Sequence, residues 1–263
     1  MFKKLKSLLS RTNYYFSKVR IQKYYKNVAL PEISQLYKSR NEKYKYFHHY
    51  FWNLSPTWLL EHRKYFSQQK RGFGEDAFHA MWYVIFKEFH PVNILEIGVY
   101  RGQTLSLFAL LGNNLNYELN INGISPFTSA GDNVSKYLEE LNYYEDVVEN
   151  FRYFNLKLPI LHKGYSTDTA MKQVIQSGKW DLIYIDGNHD YEVAKQDFDL
   201  CSGSLVKGGL LVMDDSSLYT DFRPPSYATA GHPGPSQVAS EIDDSLFKEI
   251  LAVGHNRVFK KLQ

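Results

Sequence analysis

Cysteine is almost missing: Cys201 is the single one in 263 residues. One thiol excludes an internal disulfide and any zinc or iron–sulfur centre built from cysteines. Apolar runs are short as well. None reaches the ~18 consecutive residues of a membrane-crossing helix, and the apolar stretch in the opening MFKKLKSLLSR is too short for a secretory signal. Internal repeats and low-complexity tracts are lacking too. With 44% hydrophobic and 22% charged residues, the chain is expected to be a soluble, cytoplasmic globular protein with one main domain plus additions.

Acidic residues are scarce at one end. Residues 1–50 hold 12 Lys/Arg against 2 Asp/Glu, and eight of the 21 tyrosines. That segment carries +10 in a chain of net charge +3, so the rest sums to −7. A basic, aromatic arm suits an anionic membrane surface or an acidic partner. The plainer reading is an amphipathic extension that packs on the core or mediates oligomerisation. No nucleic acid is expected, since the arm has no recognition motif. The expectations are a peripheral membrane or oligomer contact through this arm, and a homo-oligomer.

Residues 1–26 place Phe2, Leu5, Leu8, Leu9, Tyr15, Phe16 and Val19 at roughly helical spacing. Residues 32–70 read as helical in pieces, and Arg71-Gly72-Phe73-Gly74 as a joint. A helical extension over 1–71 and a main domain over 72–263 follow. Helices are expected over 75–89, 102–111, 134–155, 168–176, 191–202 and 236–245. Strands are expected over 92–97, 117–124, 159–162, 181–186, 209–214, 246–253 and 257–261, the last two as a hairpin through Gly254-His255-Asn256. This alternation implies an α/β fold with a mostly parallel seven-stranded sheet and an antiparallel C-terminal hairpin.

Two stretches carry chemistry. Ile94-Leu95-Glu96-Ile97-Gly98-Val99-Tyr100-Arg101-Gly102-Gln103-Thr104 is a strand, a glycine turn and a helix start. It is not the dinucleotide pattern G-x-G-x-x-G, because Tyr100 fills the middle position, and no Walker lysine follows. The other stretch is DLIYIDGNHDYE through KGGLLVMDD. Its two strands end in Asp186 and in Asp214-Asp215, with His189 three residues past Asp186. Ligands of open parallel sheets sit outside such strand ends. Three carboxylates suit a hard divalent cation such as Mg²⁺, and an imidazole suits proton abstraction near neutral pH. Against this, Asp186 or Asp190 is also placed to cap the next helix. Asp190, Asp197 and Asp199 read as solvated helix residues.

The glycine-turn stretch resembles motif I of class I S-adenosylmethionine (SAM)-dependent methyltransferases. The acidic stretch is similar to one branch of that family, the metal-dependent macrolide-sugar O-methyltransferases and the cephalosporin-biosynthesis methyltransferases. The resemblance covers about residues 75–261. It implies a Rossmann-like sheet and a SAM site using Glu96, Gly98, Tyr100, Gly102 and Thr104, with Asp186 beside them. Ser125 stands where the family places a ribose-binding acid, with Asp132 and Asn133 as alternative contacts. Tyr165 and Ser166 would flank the adenine, although Ser166, Thr167 or Asp168 also suits a helix cap. Mg²⁺ would be held by Asp186, Asp214 and Asp215, with His189 as base and His232 as second acid–base candidate. The long loop 216–235, with Tyr219, Phe222, Arg223, Tyr227 and His232, suits a lid. The implied reaction is methyl transfer to a hydroxyl of a sugar or glycosylated natural product. The alternatives are an NAD or nucleotide-sugar oxidoreductase, disfavoured by Tyr100 in the glycine turn, and a non-catalytic binding protein on the same scaffold.

Overall fold

The computed structural model describes residues 25–68, 71–129 and 141–263. The periodic pattern over 1–24 lies outside them, as do Asp132 and Asn133. The described helices are α1 (Leu30–Leu36), α2 (Arg40–Leu54), α3 (Thr57–Ser67), α4 (Asp76–Phe89), α5 (Gln103–Leu115), α6 (Tyr143–Tyr153), α7 (Thr169–Ser177), α8 (Tyr191–Ser204) and α9 (Pro233–Ser240). The strands are β1 (Asn93–Ile97), β2 (Asn120–Ser125), β3 (Ile160–Lys163), β4 (Trp180–Ile185), β5 (Leu205–Met213), β6 (Phe247–Val253) and β7 (Asn256–Lys261).

These strands form one sheet in the order β3-β2-β1-β4-β5-β7-β6. The first five run parallel, and β7 pairs antiparallel with β5 and β6. The expected seven-stranded sheet with its terminal hairpin is therefore present. Side chains alternate across it with period two. Ile94, Leu182, Tyr184, Leu210 and Val212 enter one core. Their neighbours Leu95, Ile97, Ile183, Ile185, Leu211 and Met213 enter the other. Burial on both faces explains why these strands read as unbroken apolar runs. Helices α1 to α4 share the first core, through Ile33, Phe47, Phe51, Leu59, Ile85 and Phe86. No helix among the described residues is long and apolar enough to cross a membrane.

Several boundaries differ from the sequence expectation, most of them for a local reason. Helix α5 runs through Gly112 and stops where Asn116 turns left-handed at φ 61°. This leaves 117–119 as loop and starts β2 at Asn120. The described part of the expected 134–155 helix begins only at Tyr143, where the Asn142 side chain accepts from the Glu145 amide at 3.2 Å. Strand β5 starts four residues earlier than expected. Helix α9 covers 233–240 rather than 236–245, because Pro233 supplies the fixed φ suited to a first helical position.

One buried polar chain ties helices α3 and α4 to α5. His62 of α3 contacts His79 of α4 at 3.1 Å and the Ser106 hydroxyl of α5 at 3.0 Å. Burial holds both imidazoles neutral, with His62 lowered to about 3 and His79 well below the ordinary value. An unfolded histidine has a pKa near ~6.5, so below that pH the unfolded state takes up more protons. The stability these groups supply is complete above pH ~6.5 and is lost as pH falls toward the folded values. His62 alone is expected to account for about 2 kcal/mol at pH 5. Denaturant melts at pH 7.5 and 5 should show this loss, and His62→Gln should shrink it; an unchanged slope in the variant would remove His62 as its source.

Candidate active site

The strand order reverses between β1 and β4, and the acidic residues meet at that point. The ladder continues one step past the strands. The Asp186 amide donates to the Ile97 carbonyl at 2.8 Å, and the Asp214 amide to the Ile185 carbonyl at 3.0 Å. This sets Asp186 and the Asp214-Asp215 pair side by side. Gly98 turns at φ +93°, and a Cβ there would lie 1.7 Å from the Asp186 carbonyl oxygen. Tyr100 and Gly102 are also left-handed, at 46° and 76°, and Gly102 caps α5. Glu96 is buried at the end of β1. Burial lifts its carboxyl well above the usual range, against contacts from Thr104 and the Leu105 amide, and its Oε2 has no hydrogen-bond partner.

Charge in the acidic cluster is sorted by position. Burial lifts Asp186 well above the ordinary carboxyl value, and the neighbouring Asp214 carboxylate, in hydrogen-bond contact, adds to this. Burial also works to raise Asp214, but the His255 imidazole beside it outweighs that and holds Asp214 low. His255 lies in the β6–β7 turn, with Nε2 3.2 Å from Asp214 Oδ1. Burial opposes its charge, yet Asp214 raises it to about 10. The Asp214–His255 pair therefore adjoins an Asp186 whose carboxyl is lifted above its ordinary value. Asp186 is in hydrogen-bond contact with Asp214, and the charge of Asp215 reaches it as well; carboxyl oxygens of this kind suit a hard divalent cation.

His189 and His232 reach the same cluster. His189 Nε2 lies 2.8 Å from Asp215 Oδ2, and His232 Nε2 lies 3.9 Å from that oxygen. Neither Asp186 nor Asp190 caps a helix: Asp190 occupies the cap position of α8 without a side-chain bond. Residues 216–232, expected as a lid, form a loop pinned at both ends. The Ser217 amide donates to the Ala230 carbonyl at 3.0 Å, and the His232 amide to the Asp215 carbonyl at 2.9 Å. Of its residues, Tyr227 and His232 line the cavity, whereas Phe222 is buried against Tyr44.

A cavity of about 1060 Å³ joins these parts. Its lining includes Ser125, Tyr165 and Ser166, Glu96 through Tyr100, and Glu75, Tyr44 and Tyr227. Ser125 is buried, and its hydroxyl closes a turn by accepting from the Phe127 amide at 3.4 Å. Tyr165 is half exposed at the rim, and its amide donates to Asp168 Oδ2 at 2.8 Å, so Asp168 closes a turn without capping α7. Asp197 is not solvated as expected. It is fully buried, and burial raises it to about 6 against the Ser166 hydroxyl and Lys172. The helical period turned it inward, toward the sheet.

Three cavity residues were assigned no site role from the sequence. His255 looked like part of a bare hairpin turn. Glu75 read as a helix start, yet its carboxylate accepts from the Tyr44 hydroxyl and faces the cavity. Gln103 is buried under Gly72 and Gly74, with Oε1 unpartnered. Its place directly after Gly102 was the one available hint.

Residues 95–216 match the family model described as a methyltransferase domain. An uncharacterised protein of Acanthamoeba polyphaga mimivirus is 31% identical over 133 residues, 49% of this chain and 52% of that protein. The match thus spans about half the length of this curated relative. Among solved structures, a Staphylococcus aureus protein assigned as a caffeoyl-CoA O-methyltransferase superposes with TM-score 0.57 at 13% identity, over 83% of this chain and 98% of that one. The Podospora anserina methyltransferase PaMTH1, solved with S-adenosylhomocysteine (SAH), gives 0.53 at 16% identity, over 80% and 89%. MycE from the mycinamycin biosynthetic pathway, solved with Mg and SAH, gives 0.50 at 18%, over 78% and 55%. At these identities the superpositions establish a shared fold.

Proposed function

We propose that this chain is a SAM-dependent O-methyltransferase whose acceptor hydroxyl is positioned at a divalent-cation site. The observation that carries the reading is the junction of the Gly98 turn with Asp186. A turn resembling motif I and an acidic cluster line one cavity, where the Gly98 backbone packs on that of Asp186 and Gly187. The match to a methyltransferase domain and the SAH-bound relatives of the same fold support the cofactor. The cavity exceeds the few hundred Å³ of a small single-ligand site and leaves room for two molecules.

In this reading Glu96 and the Gly98–Gly102 turn hold the amino-acid end of SAM, with the unpartnered Glu96 Oε2 accepting from its ammonium. Ser125, Tyr165 and Ser166 line the adenosine end, and the ribose contact lacks a charge-assisted bond. Asp186, Asp214 and Asp215 would hold Mg²⁺, which would lower the pKa of the acceptor hydroxyl. Asp215 orients His189, and His189 takes the acceptor proton. His232 is the second imidazole within reach. Tyr44, Tyr227 and Glu75 would face the acceptor, and aromatic faces beside a carboxylate suit a sugar ring. The acid pair, through its resemblance to the macrolide-sugar branch, weighs toward a sugar on a natural product.

Calorimetry with SAM, SAH and NAD tests the cofactor. We expect SAM and SAH to bind and NAD not to; NAD binding in their place would replace this reading with an oxidoreductase. Asp186→Ala and Asp215→Ala should lower Mg²⁺ affinity at least tenfold while SAM affinity changes much less. Equal loss of both would deny a separate cation site.

A further inference from the structure

We propose that His189, Asp215 and His232 form a binding site for a borderline first-row divalent ion, of the Co²⁺ or Zn²⁺ class. It shares Asp215 with the oxygen set of Asp186 and Asp214. Such a site requires neither a methyl donor nor an acceptor, so it goes beyond the activity proposed above.

The geometry is specific. Both imidazoles direct Nε2 at the same oxygen, Asp215 Oδ2, from 2.8 and 3.9 Å. The three candidate ligand atoms all lie within 4.8 Å of one another. Ligands about 2.1 Å from a common ion stand roughly 3 to 3.5 Å apart, so small ring movements would close the set. The rings lie 4.2 Å apart, centroid to centroid.

The backbone around them is fixed. Asp215 is left-handed at φ 48°, an uncommon conformation for a residue with a side chain. Its carbonyl accepts from the His232 amide at 2.9 Å and from the Ser236 hydroxyl at 3.0 Å. Gly231 pairs with Ser216 as an isolated bridge, and a Cβ on it would lie 2.1 Å from the Asp215 carbonyl oxygen. A Cβ on Gly234 would lie 2.2 Å from the His189 carbonyl oxygen, so the start of α9 rests on the His189 segment as well. The end of the 216–232 loop is thereby fastened to both strand ends that supply the other two ligands.

Two imidazoles and a carboxylate favour zinc-like or cobalt-like ions, whereas Mg²⁺ prefers oxygen ligands alone. Occupancy would tie up the nitrogen lone pair of His189. The ion would then exclude the proton-abstracting use of that imidazole.

The test uses the full chain with CoCl₂ and MgCl₂, followed by calorimetry and by the visible absorption of bound Co²⁺. Every variant is also titrated with SAH as a check of the fold. We expect Co²⁺ to bind at least tenfold tighter than Mg²⁺. His232→Ala should weaken Co²⁺ at least tenfold, leaving Mg²⁺ and SAH within about twofold, and His232→Asp should restore part of the loss. Asp186→Asn should weaken Mg²⁺ at least tenfold and Co²⁺ less than threefold. Co²⁺ affinity unchanged in His232→Ala, or lost equally in Asp186→Asn, would overturn the site. Absence of SAH binding by the unaltered chain would instead sink the methyl-transfer reading and leave the Co²⁺ result standing.

Discussion

Replacing Gly98 with alanine is expected to cost about 3 kcal/mol or more of stability and to remove SAM and cation binding together. The φ of +93° alone disfavours any side chain there. Space is the larger problem. The new Cβ would lie 1.7 Å from the Asp186 carbonyl oxygen, 2.4 Å from its carbon and 2.9 Å from the Gly187 Cα. All three are backbone atoms, so no rotamer change can relieve the contact. Either β1 or β4 must retreat, although the Gly98 amide donates to Ile124 at 2.9 Å and the Asp186 amide to Ile97 at 2.8 Å. Any retreat therefore displaces the acid that adjoins Asp214 and the turn proposed to hold SAM. Gly203→Ala is the matched control, since a Cβ there meets nothing within 4 Å and the residue is helical. Denaturant melts and SAH calorimetry on both variants check this. An intact Gly98→Ala protein with normal SAH affinity would show that the close approach does not matter.

The turn and the three aspartates were legible because each is a strand end, and a strand buried on both faces is a short, dense apolar run. Ile94–Ile97, Leu182–Ile185 and Leu210–Met213 announce themselves, and whatever follows them sits at the sheet's carboxyl edge. His255 follows no such run. It reaches Asp214 because β7 pairs antiparallel with β5, which brings the hairpin turn back to the parallel strands' carboxyl ends. That register is a tertiary fact with no local trace. Glu75 enters the cavity for a related reason: α2 packs on α4, and Tyr44 draws the carboxylate inward. Asp197 was misread because a charge on a helix usually faces water, while here α8 lies against the sheet with Asp197 on its inner face. Period and turn chemistry thus disclose what strands deliver, and they miss what packing delivers from elsewhere.

Packing also controls the turn itself, which gives Asp146→Ala the other large expected effect. Arg101 sits inside the glycine turn, between Gly98 and Gly102, and its side chain is buried with that of Asp146. The contact is bidentate: Nε donates to Asp146 Oδ2, and Nη2 to Oδ1 at 3.0 Å. Asn150 donates to the Arg101 carbonyl at 2.8 Å and accepts from the Tyr65 hydroxyl at 2.7 Å, joining α6, the turn and α3. Burying a charge pair returns little net energy, but removing one partner leaves the other charge desolvated without its counter-ion. Loss of Asp146 is therefore expected to destabilise the fold by about 3 to 5 kcal/mol. Arg101→Met should cost a similar amount, because Asp146 is then the abandoned charge. The double variant Arg101→Met/Asp146→Leu should cost far less than the sum, since neither charge remains. The functional consequence lies in the turn. With Asp146 gone, Arg101 must move toward water and carry the Gly98–Gly102 backbone with it, so SAH affinity should fall at least tenfold even where the protein is still folded. The double variant separates the two roles. If it regains stability but not SAH affinity, the ion pair serves to shape the turn. If the single variants melt like the unaltered protein, the pair is solvated in solution and this account of the turn is wrong.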